Sequence, residues 1–536
     1  MKNLTFRFII TGILLVACSL STKVVQAQTN VPVKTKKDSS EIQIRSADYL
    51  EIIQKKNVSV NRLINNVILE QNDLILYCDS ALLFKSENMA KIYGHVHLIQ
   101  ADSIHAYGDS AIYNGNTKIA KLYSNAKITD KSMTLTTDNL SYDLTTKIAT
   151  YVNGGQVTDG EAVLTSQLGY YYANTNDAYF KSNVVLTHPE YGLKADTLQY
   201  NTATEKAIFR GPTTIFNKES TVYCEKGYYE TNSDIAVFHQ HAKLDNPPQS
   251  LTADSIYYNR ETGIGKAFYN IIFTDTSQQI LQYSNFAEYD EINGTIFSTG
   301  GSIAGFVMDT DTLFIGGDTI RSVQDSLKRK TLLVFHNVKI YKSDLQGKCD
   351  SLSYADMDSV IRMYGAPIMW SDSTQFTADT INMIMRNKTL QEIQLFTDGF
   401  IINEDDSLIY NQIKGRNIFG YFSNEDLVKI KAIGNGESIY YGKDDKDRYI
   451  GVNKMFCSEI IILLSDKKFH RITFKNAPDS EFQPMQDAVL SDFLLKNFKW
   501  SYSERPLSKD DLLIPDAPQP IEETKPSLEK SSQNEG

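Results

Sequence analysis

The sequence lacks the motifs that mark most enzymes and nucleic-acid-binding proteins. It contains no Gly-x-Ser-x-Gly turn, no phosphate-binding glycine loop followed by Lys-Ser/Thr, and no Cys-x-x-Cys pair. Its 54 basic residues do not cluster, and the net charge of −11 opposes binding to a phosphate backbone. We therefore expect a protein that is not an enzyme and has no cofactor, no bound metal and no nucleic-acid partner.

Long apolar runs are also missing beyond the N-terminus. The best stretch, residues 460–464, is far shorter than the ~20 residues of a membrane helix, so we expect no membrane-spanning segment in the mature chain. Residues 1–27 resemble a signal peptide with cleavage after Ala27. The alternative is a lipobox at residues 15–18 that leaves a lipid-modified Cys18. Either processing route predicts an exported, periplasmic protein, and the second would attach it to the outer membrane.

The chain has only 13 Pro and 2 Trp but 31 Tyr and 25 Phe, which favours an ordered, β-rich structure. Its main feature is a six-residue motif, best seen at Ala195-Asp196-Thr197-Leu198-Gln199-Tyr200. The motif recurs about every 29 residues, and we count fourteen copies, each with a small residue in its first position. These copies begin at Ala47, Cys78, Gly108, Thr137, Ser166, Ala195, Cys224, Ala253, Ser284, Gly317, Cys349, Ala378, Gly415 and Cys457. Such a period is typical of a repeat protein.

The repeat predicts how the chain is divided. Each unit reads as a hairpin-like pair of strands that continues past a Gly or Asn bend. Spacing is regular at first and loosens later, which predicts one β-repeat block over 47–307 and a second, less regular block over 308–482. Residues 28–46 read as a flexible lead-in, 483–514 as a short helical or irregular C-terminal cap with an amphipathic helix at 487–496, and 515–536 as a disordered tail.

Three positions of the motif, each compared as a column across its copies, indicate how the interior is built. Alternation in a strand places the acid, the apolar residue and the tyrosine on one face. The apolar column alternates large and small residues, which fits either a packed core or a furrow, and the tyrosine column fits either a stacked ladder or the lining for a long amphiphile. Candidate lining residues are Tyr113, Leu140, Tyr142, Leu198, Tyr200, Ile256 and Tyr258. The acid is interpreted as a cap of a turn or strand start, since a calcium site needs several acids close together.

Cysteine and histidine do not predict a metal site. Four of the five cysteines occupy the small first position of the motif, so we expect free thiols packed as small apolar residues. His95 with His97, and His239 with His241, each place two imidazoles on one strand face. No third ligand stands at a fixed spacing from either pair, so both are interpreted as chance.

The repeated motif resembles the organic-solvent-tolerance A (OstA)-like family. The residues most alike are 62–69, 77–81 and 92–98, and the resemblance is strongest over 47–186 and continues more weakly to about 480. The family includes the periplasmic bridge protein of lipopolysaccharide export and the N-terminal domain of its outer-membrane translocon. This chain is about three times as long as the bridge protein, and it lacks the pattern of the translocon's membrane domain.

The resemblance implies an all-β fold, an elongated V-shaped repeat β-jellyroll with two antiparallel sheets that hold lipid A acyl chains. It also implies lipopolysaccharide as a partner, together with other OstA-like export components that join through edge strands. A closed β-solenoid is the alternative fold. The alternative functions are a scaffold or surface adhesin without a lipid groove, and a carbohydrate-active enzyme with carboxylates and aromatics on one flank.

Overall fold

A computed structural model describes residues 40–514 of the chain, apart from 56–57, 101–103, 131–132, 160, 309–310, 328, 356, 387–388, 424–425, 466–467 and 477. The expected signal peptide with Cys18, the tail at 515–536 and all of the lead-in before residue 40 lie outside the described residues. The chain forms two compact units, unit 1 up to Thr299 and unit 2 from Gly300. Our expected boundary between the two repeat blocks lay at residues 307/308.

Unit 1 is built almost entirely from β-strands. They are β1 (Gln43–Ser46), β2 (Tyr49–Lys55), β3 (Val58–Gln71), β4 (Leu74–Phe84), β5 (Met89–Gln100), β6 (Ile104–Asn114), β7 (Ile119–Asp130), β8 (Met133–Asp143), β9 (Ile148–Tyr151), β10 (Gly155–Asp159), β11 (Ala162–Ser166), β12 (Leu168–Tyr172), β13 (Asp177–Thr187), β14 (Gly192–Asn201), β15 (Lys206–Phe216), β16 (Thr221–Glu230), β17 (Ile235–Asn246), β18 (Gln249–Asn259), β19 (Ile264–Asp275) and β20 (Ile280–Asp290). Strand β21 (Thr295–Val307) contains the unit boundary.

Unit 2 continues with longer strands. They are β22 (Thr312–Gln324), β23 (Lys330–Lys342), β24 (Leu345–Ala355), β25 (Val360–Tyr364), β26 (Ile368–Ser371), β27 (Thr374–Thr377), β28 (Thr380–Arg386), β29 (Thr389–Asp406), β30 (Ile409–Ser423), β31 (Asp426–Lys443), β32 (Tyr449–Ser465), β33 (Lys468–Lys475) and β34 (Asp479–Pro484). The 3-10 turns are Lys85–Glu87, Leu490–Phe493, Tyr502–Glu504 and Asp510–Leu513. No helix among the described residues has the length and apolar character needed to cross a membrane.

Antiparallel pairing organises both units. Within unit 1, β13 pairs with β14, β14 with β15 and β15 with β16, and the same order continues to β20. The tight turns between them use side-chain caps: Asn201 Oδ1 accepts the backbone N–H of Ala203 and Thr204 at 3.1 and 2.8 Å. Asx turns of this kind explain the polar residues that follow each tyrosine of the motif.

Nearly every long strand bends sharply at its middle. In β3 the bend consists of Asn65 and Asn66, with φ of 60° and 48°, and they stand opposite the single residue Asp79 of β4. Two residues against one is a β-bulge, which kinks the strand. Equivalent bends fall at Gly94 and His95, Ser124 and Asn125, Ser182 and Asn183, Gln240 and His241, Tyr269 and Asn270, His336 and Asn337, and Thr397 and Asp398. We call this line of bends the corner.

The corner divides each long strand between two sheets. In β14, residues 192–195 lie in one sheet, sheet B, and residues 197–201 lie in the other, sheet A. Apolar side chains from both sheets fill the space between them, as one buried cluster in unit 1 and another in unit 2. We call the side opposite the corner, where the turns lie, the mouth. The predicted all-β jellyroll is confirmed, and the antiparallel order differs from that of a β-solenoid.

The C-terminal segment of unit 2 is not the expected helix. Within residues 487–496 only Leu490–Phe493 forms a 3-10 turn. Its apolar residues pack on the outer face of sheet B: Phe493 and Leu495 share a small cluster with Ile402 of β29 and Ile439 of β31. The periodic apolar residues are therefore explained by burial against a sheet rather than by a helix. We call residues 485–514 the strap.

Buried glutamines hold the strap. Gln412 Nε2 donates to the carbonyl of Phe493 at 2.9 Å, and its Oε1 accepts the N–H of Leu495 at 2.8 Å. Gln375 repeats this pairing with the carbonyl of Lys499 at 2.7 Å and the N–H of Ser501 at 2.8 Å. Each glutamine thus imitates one rung of a β-ladder, so the strap gains main-chain partners without being a strand.

Candidate functional site: the space between the sheets

The candidate site is the apolar space between sheets A and B. Its floor at the corner is formed by the small first residue of the motif. A Cβ at Gly317 would lie 2.5 Å from Val334 Cγ1, and one at Gly108 would lie 3.3 Å from Leu122 Cβ. Side chains from the neighbouring strand therefore cross this position, which is why it accepts only small residues.

The cysteines fit this explanation. Cys78, Cys224 and Cys349 are buried, Cys457 is half-buried, and all four are free thiols. Burial raises the pKa of Cys78, Cys224 and Cys349 to about 12 each. Thiols of this kind are inert packing groups rather than nucleophiles.

The acid of the motif does not face the interior, contrary to our expectation. The bulge interrupts the alternation, so Cys78 and Ala81 both point inward while Asp79 points outward. Asp79 Oδ2 lies 2.7 Å from His95 Nδ1, at the corner of the next strand. The same pairing joins Asn66 to Asp48, Asn125 to Asp109, His241 to Glu225, Asn270 to Asp254 and Asn337 to Asp318. The acid therefore stabilises the corner rather than the start of a strand.

Of the seven candidate lining residues, six belong to the buried core of unit 1. Six are almost fully buried, with side chains no more than 4% exposed, and Tyr200 is half-buried. The six are Tyr113, Leu140, Tyr142, Leu198, Ile256 and Tyr258. The structure places them on sheet A facing sheet B, and their role as a lipid lining stays a prediction.

Hydrogen bonds close the mouth in the first part of unit 1. The hydroxyl of Tyr113 donates to Oε1 of Gln71 at 2.5 Å, and that of Tyr142 donates to Oε1 of Gln100 at 2.7 Å. Each glutamine ends a strand of sheet B and each tyrosine lies near the end of a strand of sheet A. Burial raises the pKa of both tyrosines. These bonds tie the ends of the two sheets together across the mouth.

Later tyrosines bond differently. The hydroxyl of Tyr229 donates to Asp234 at 3.1 Å, and that of Tyr258 donates to Glu291 at 2.6 Å. Both acceptors lie in turns of sheet A, so these bonds do not join the two sheets. The tyrosine column thus changes its role along unit 1.

Unit 2 has a cavity between its sheets at the mouth. The volume is about 50 Å³, and the lining from sheet B includes Leu313 and Leu345. Sheet A contributes Ile361, Met383 and Met385, Met308 also lines the cavity, and the ion pair of Lys342 and Asp344 forms a polar part of the lining. Methionine side chains are flexible enough to repack around a guest, so this site can widen. Sequence reasoning missed it, because these methionines stand outside the motif's tyrosine column.

The histidine pairs do not act as pairs. His95 lies at the corner beside Asp79, whereas His97 stacks on Tyr107 with ring centroids 4.4 Å apart. His97 Nε2 lies 3.1 Å from Nδ1 of His105. Within the described residues no three His, Cys, Asp or Glu side chains are grouped so that they could hold a metal ion.

Comparison with known proteins points to one family. Residues 39–196 and 190–254 match the profile of the family described as OstA-like protein. No curated protein matches the chain. Among solved structures, the chain is similar to LptH from Pseudomonas aeruginosa, described as the LptA-homologous periplasmic component of the lipopolysaccharide transport device. That match has 16% identity and a TM-score of 0.19, and it covers 20% of this chain and 82% of LptH.

Proposed function

This chain is an OstA-like protein over residues 39–254, and we propose from this that it binds lipopolysaccharide in the periplasm and forms part of the bridge that carries it to the outer membrane. The acyl chains lie between sheets A and B, and the protein performs no covalent chemistry. Export begins with the signal peptide at 1–27. Other OstA-like components are its neighbours, joined through edge strands.

The observation that carries the proposal is the apolar interior with a cavity at the mouth. Each buried CH₂ of an acyl chain is stabilised by roughly 0.8 kcal/mol. The cavity beside Met383 and Met385 also contacts apolar side chains of sheet B, Leu313 and Leu345, while Lys342 and Asp344 pair with each other in its lining. A chain that enters beside the methionines would displace flexible side chains. We therefore assign the first point of acyl contact to unit 2.

Site-specific photocrosslinking tests this assignment. A small diazirine amino acid at Met383, which points inward and is fully buried, should capture lipopolysaccharide in cells. The matched control is Asn382, the adjacent residue on the opposite face of β28. A second pair in unit 1, Ile256 against Tyr257, reports whether the lipid also reaches the predicted lining residues of that unit. Capture at Asn382 and Tyr257 but at neither inner position would contradict the proposal.

A structural role for the first part of unit 1 is the second candidate, favoured by the bonds that close its mouth. If Tyr113 and Gln71 serve only to fasten the sheets, Tyr113→Phe should destabilise the protein by about 1–3 kcal/mol, since a buried acceptor loses its donor. Lipid capture at Met383 should stay unchanged. An increase of capture at Ile256 in this variant would show instead that the closed mouth controls access of the lipid.

A further inference from the structure

The outer face of sheet A carries a second, separate groove. Its volume is about 480 Å³, and it is lined by Tyr170, Tyr172, Thr175, Asp177, Tyr179, Lys181 and Thr197. These residues belong to β12, β13, β14 and the turn between β12 and β13. Pockets of 300–1,000 Å³ are typical of small-ligand sites. None of these side chains belongs to the apolar space between the sheets.

Three tyrosines form the base of the groove. Register pairs Tyr170 directly with Tyr179, and Tyr172 with Asp177. The rings of Tyr172 and Tyr179 meet edge to face, with centroids 5.6 Å apart and an angle of 76° between the ring planes. All three side chains are half-buried, so each ring is fixed on the sheet yet offers part of its surface to a ligand. Such a base suits a ligand with a flat apolar face.

The rim of the groove supplies hydrogen-bonding groups that include one negative and one positive charge, so its net charge is zero. The amide of Asn201 donates to Asp177 Oδ1 at 2.9 Å, fixes the carboxylate and lowers its pKa, so that it stays ionised. Lys181 is exposed and forms no ion pair among the described residues. One carboxylate and one ammonium therefore offer both an acceptor and a donor. The Thr197 hydroxyl donates to Asp196 Oδ2 at 2.9 Å, so its oxygen adds a further acceptor.

We propose that this groove binds an uncharged oligosaccharide. A pyranose ring has an apolar C–H face for the tyrosines and an edge of hydroxyls for Asp177, Lys181 and Thr197. A phosphate-rich ligand is disfavoured by the fixed carboxylate, and an acyl chain is disfavoured by the charged rim. The groove binds and does not cleave, because its lining holds one carboxylate and glycoside hydrolysis normally needs two.

The surface next to the groove extends it along the sheet. Across the strands, Tyr179 pairs with Gln199, Gln199 with Ile208, and Ile208 with Tyr228. From β12 to β16 this row spans about 19 Å at about 4.8 Å per strand. Its alternation of ring, amide and apolar side chain continues the chemistry of the groove. A sugar chain that lies across the strands would contact several of these residues in turn.

Titration of the full-length protein with defined sugars tests the proposal. Cellohexaose, maltohexaose and hexa-N-acetylchitohexaose carry no fatty acyl chains and no charge, so binding to the lipid site does not contribute. Isothermal calorimetry should detect binding of at least one of them, and Tyr170→Ala and Tyr179→Ala should each weaken it at least tenfold. The control is Tyr269→Ala, which removes a tyrosine 64% exposed at the corner and should leave binding unchanged.

Two results would overturn the proposal: no binding of any of the three sugars at millimolar concentration, or binding that the groove substitutions leave intact. If a tyrosine variant fails to fold, Thr197→Trp, which fills the groove from a half-buried position in its lining, replaces it and must abolish binding. Because the sugars lack acyl chains, this experiment is independent of photocrosslinking at Met383. Either proposal can therefore fail without the other.

Discussion

At the scale of single residues, the acid of the motif shows how a local irregularity changes the meaning of a pattern. Strict alternation would place Asp196 on the same face as Leu198 and Tyr200. The bulge opposite it turns the acid outward, where it lies beside the backbone of the next corner at Gly211. The column is therefore a row of corner partners on the protein surface and takes no part in the interior.

The pair of His95 and Asp79 makes this role measurable. The hydrogen bond to Asp79 raises the pKa of His95 above its usual value. NMR titration of histidine-labelled protein should detect this shift, and Asp79→Asn should return the pKa toward 6.5. The control is His97, whose pKa is lowered by burial and should not respond. An unchanged His95 in the variant would contradict the corner role of the acid.

The linked pH dependence has a defined sign. Because the folded pKa of His95 is raised, the contribution of this pair to stability is fully present below the unfolded pKa and is lost as pH rises through the folded pKa. The wild-type protein should therefore lose a small part of its stability relative to Asp79→Asn as pH rises above about 6.5. The thermal midpoints of the two proteins as a function of pH measure this difference.

At the scale of the element, the corner depends on backbone conformations that most residues avoid. Gly94 has φ of 75°, and a Cβ there would collide with the Asp79 carboxylate. Gly154 has φ of 93°, and a Cβ there would meet no atom within 4 Å. The two glycines therefore separate the cost of the backbone conformation from the cost of crowding.

Alanine substitutions at these glycines should differ accordingly. Gly154→Ala should destabilise the protein by about 1–2 kcal/mol, the cost of a left-handed conformation. Gly94→Ala should add about 1–3 kcal/mol for overpacking. It should also lower the pKa of His95, because Asp79 must move away. Equal loss of stability in the two variants, measured by denaturant unfolding, would show that the corner is not crowded at Gly94.

The strap offers a second test at this scale. Gln412→Leu removes the donor to Phe493 and the acceptor for Leu495, so amide hydrogens of the strap should exchange faster with solvent. Gln375→Leu should have the same effect around Ser501. Gln282→Leu, a substitution in unit 1 that removes a bond to Ser298, is the control and should leave exchange in the strap unchanged. Exchange that the first two variants do not alter would mean that apolar packing alone holds the strap.

Sequence reasoning succeeded at positions where the local backbone or an adjacent strand restricts the residue type. The small first position, the turn after each tyrosine and the Gly or Asn bend were all predicted. It failed where the partner lay far away in the chain. Residues 487–496 have a helix-like apolar pattern, but their partners are Ile402 and Ile439 on the outer face of a sheet. Likewise, no local sequence pattern marks Met308 and Met383 as cavity residues, because the cavity forms only where strands distant in sequence approach each other.

At the scale of the whole molecule, we expect the first strands to determine how the protein can join a neighbour. Strand β2 pairs with β3 along one side. Its Tyr49, Leu50 and Ile52 side chains are 66%, 54% and 64% exposed. An edge strand with exposed apolar side chains readily pairs with another chain, and natural proteins usually protect such an edge with charge. The proposed edge-to-edge bridge would use this strand.

Adding charge to β2 should therefore prevent association. We expect the full-length protein to self-associate with increasing concentration in sedimentation velocity experiments, since each copy exposes the apolar side chains of β2. Leu50→Lys combined with Ile52→Lys should weaken self-association at least tenfold. The two substitutions should cost little folding stability, because both side chains are exposed. Ile292→Lys, at a turn residue that is 75% exposed, is the matched control. If the double variant and the control sediment alike, β2 is not the joining strand, and the bridge must be built from a different surface.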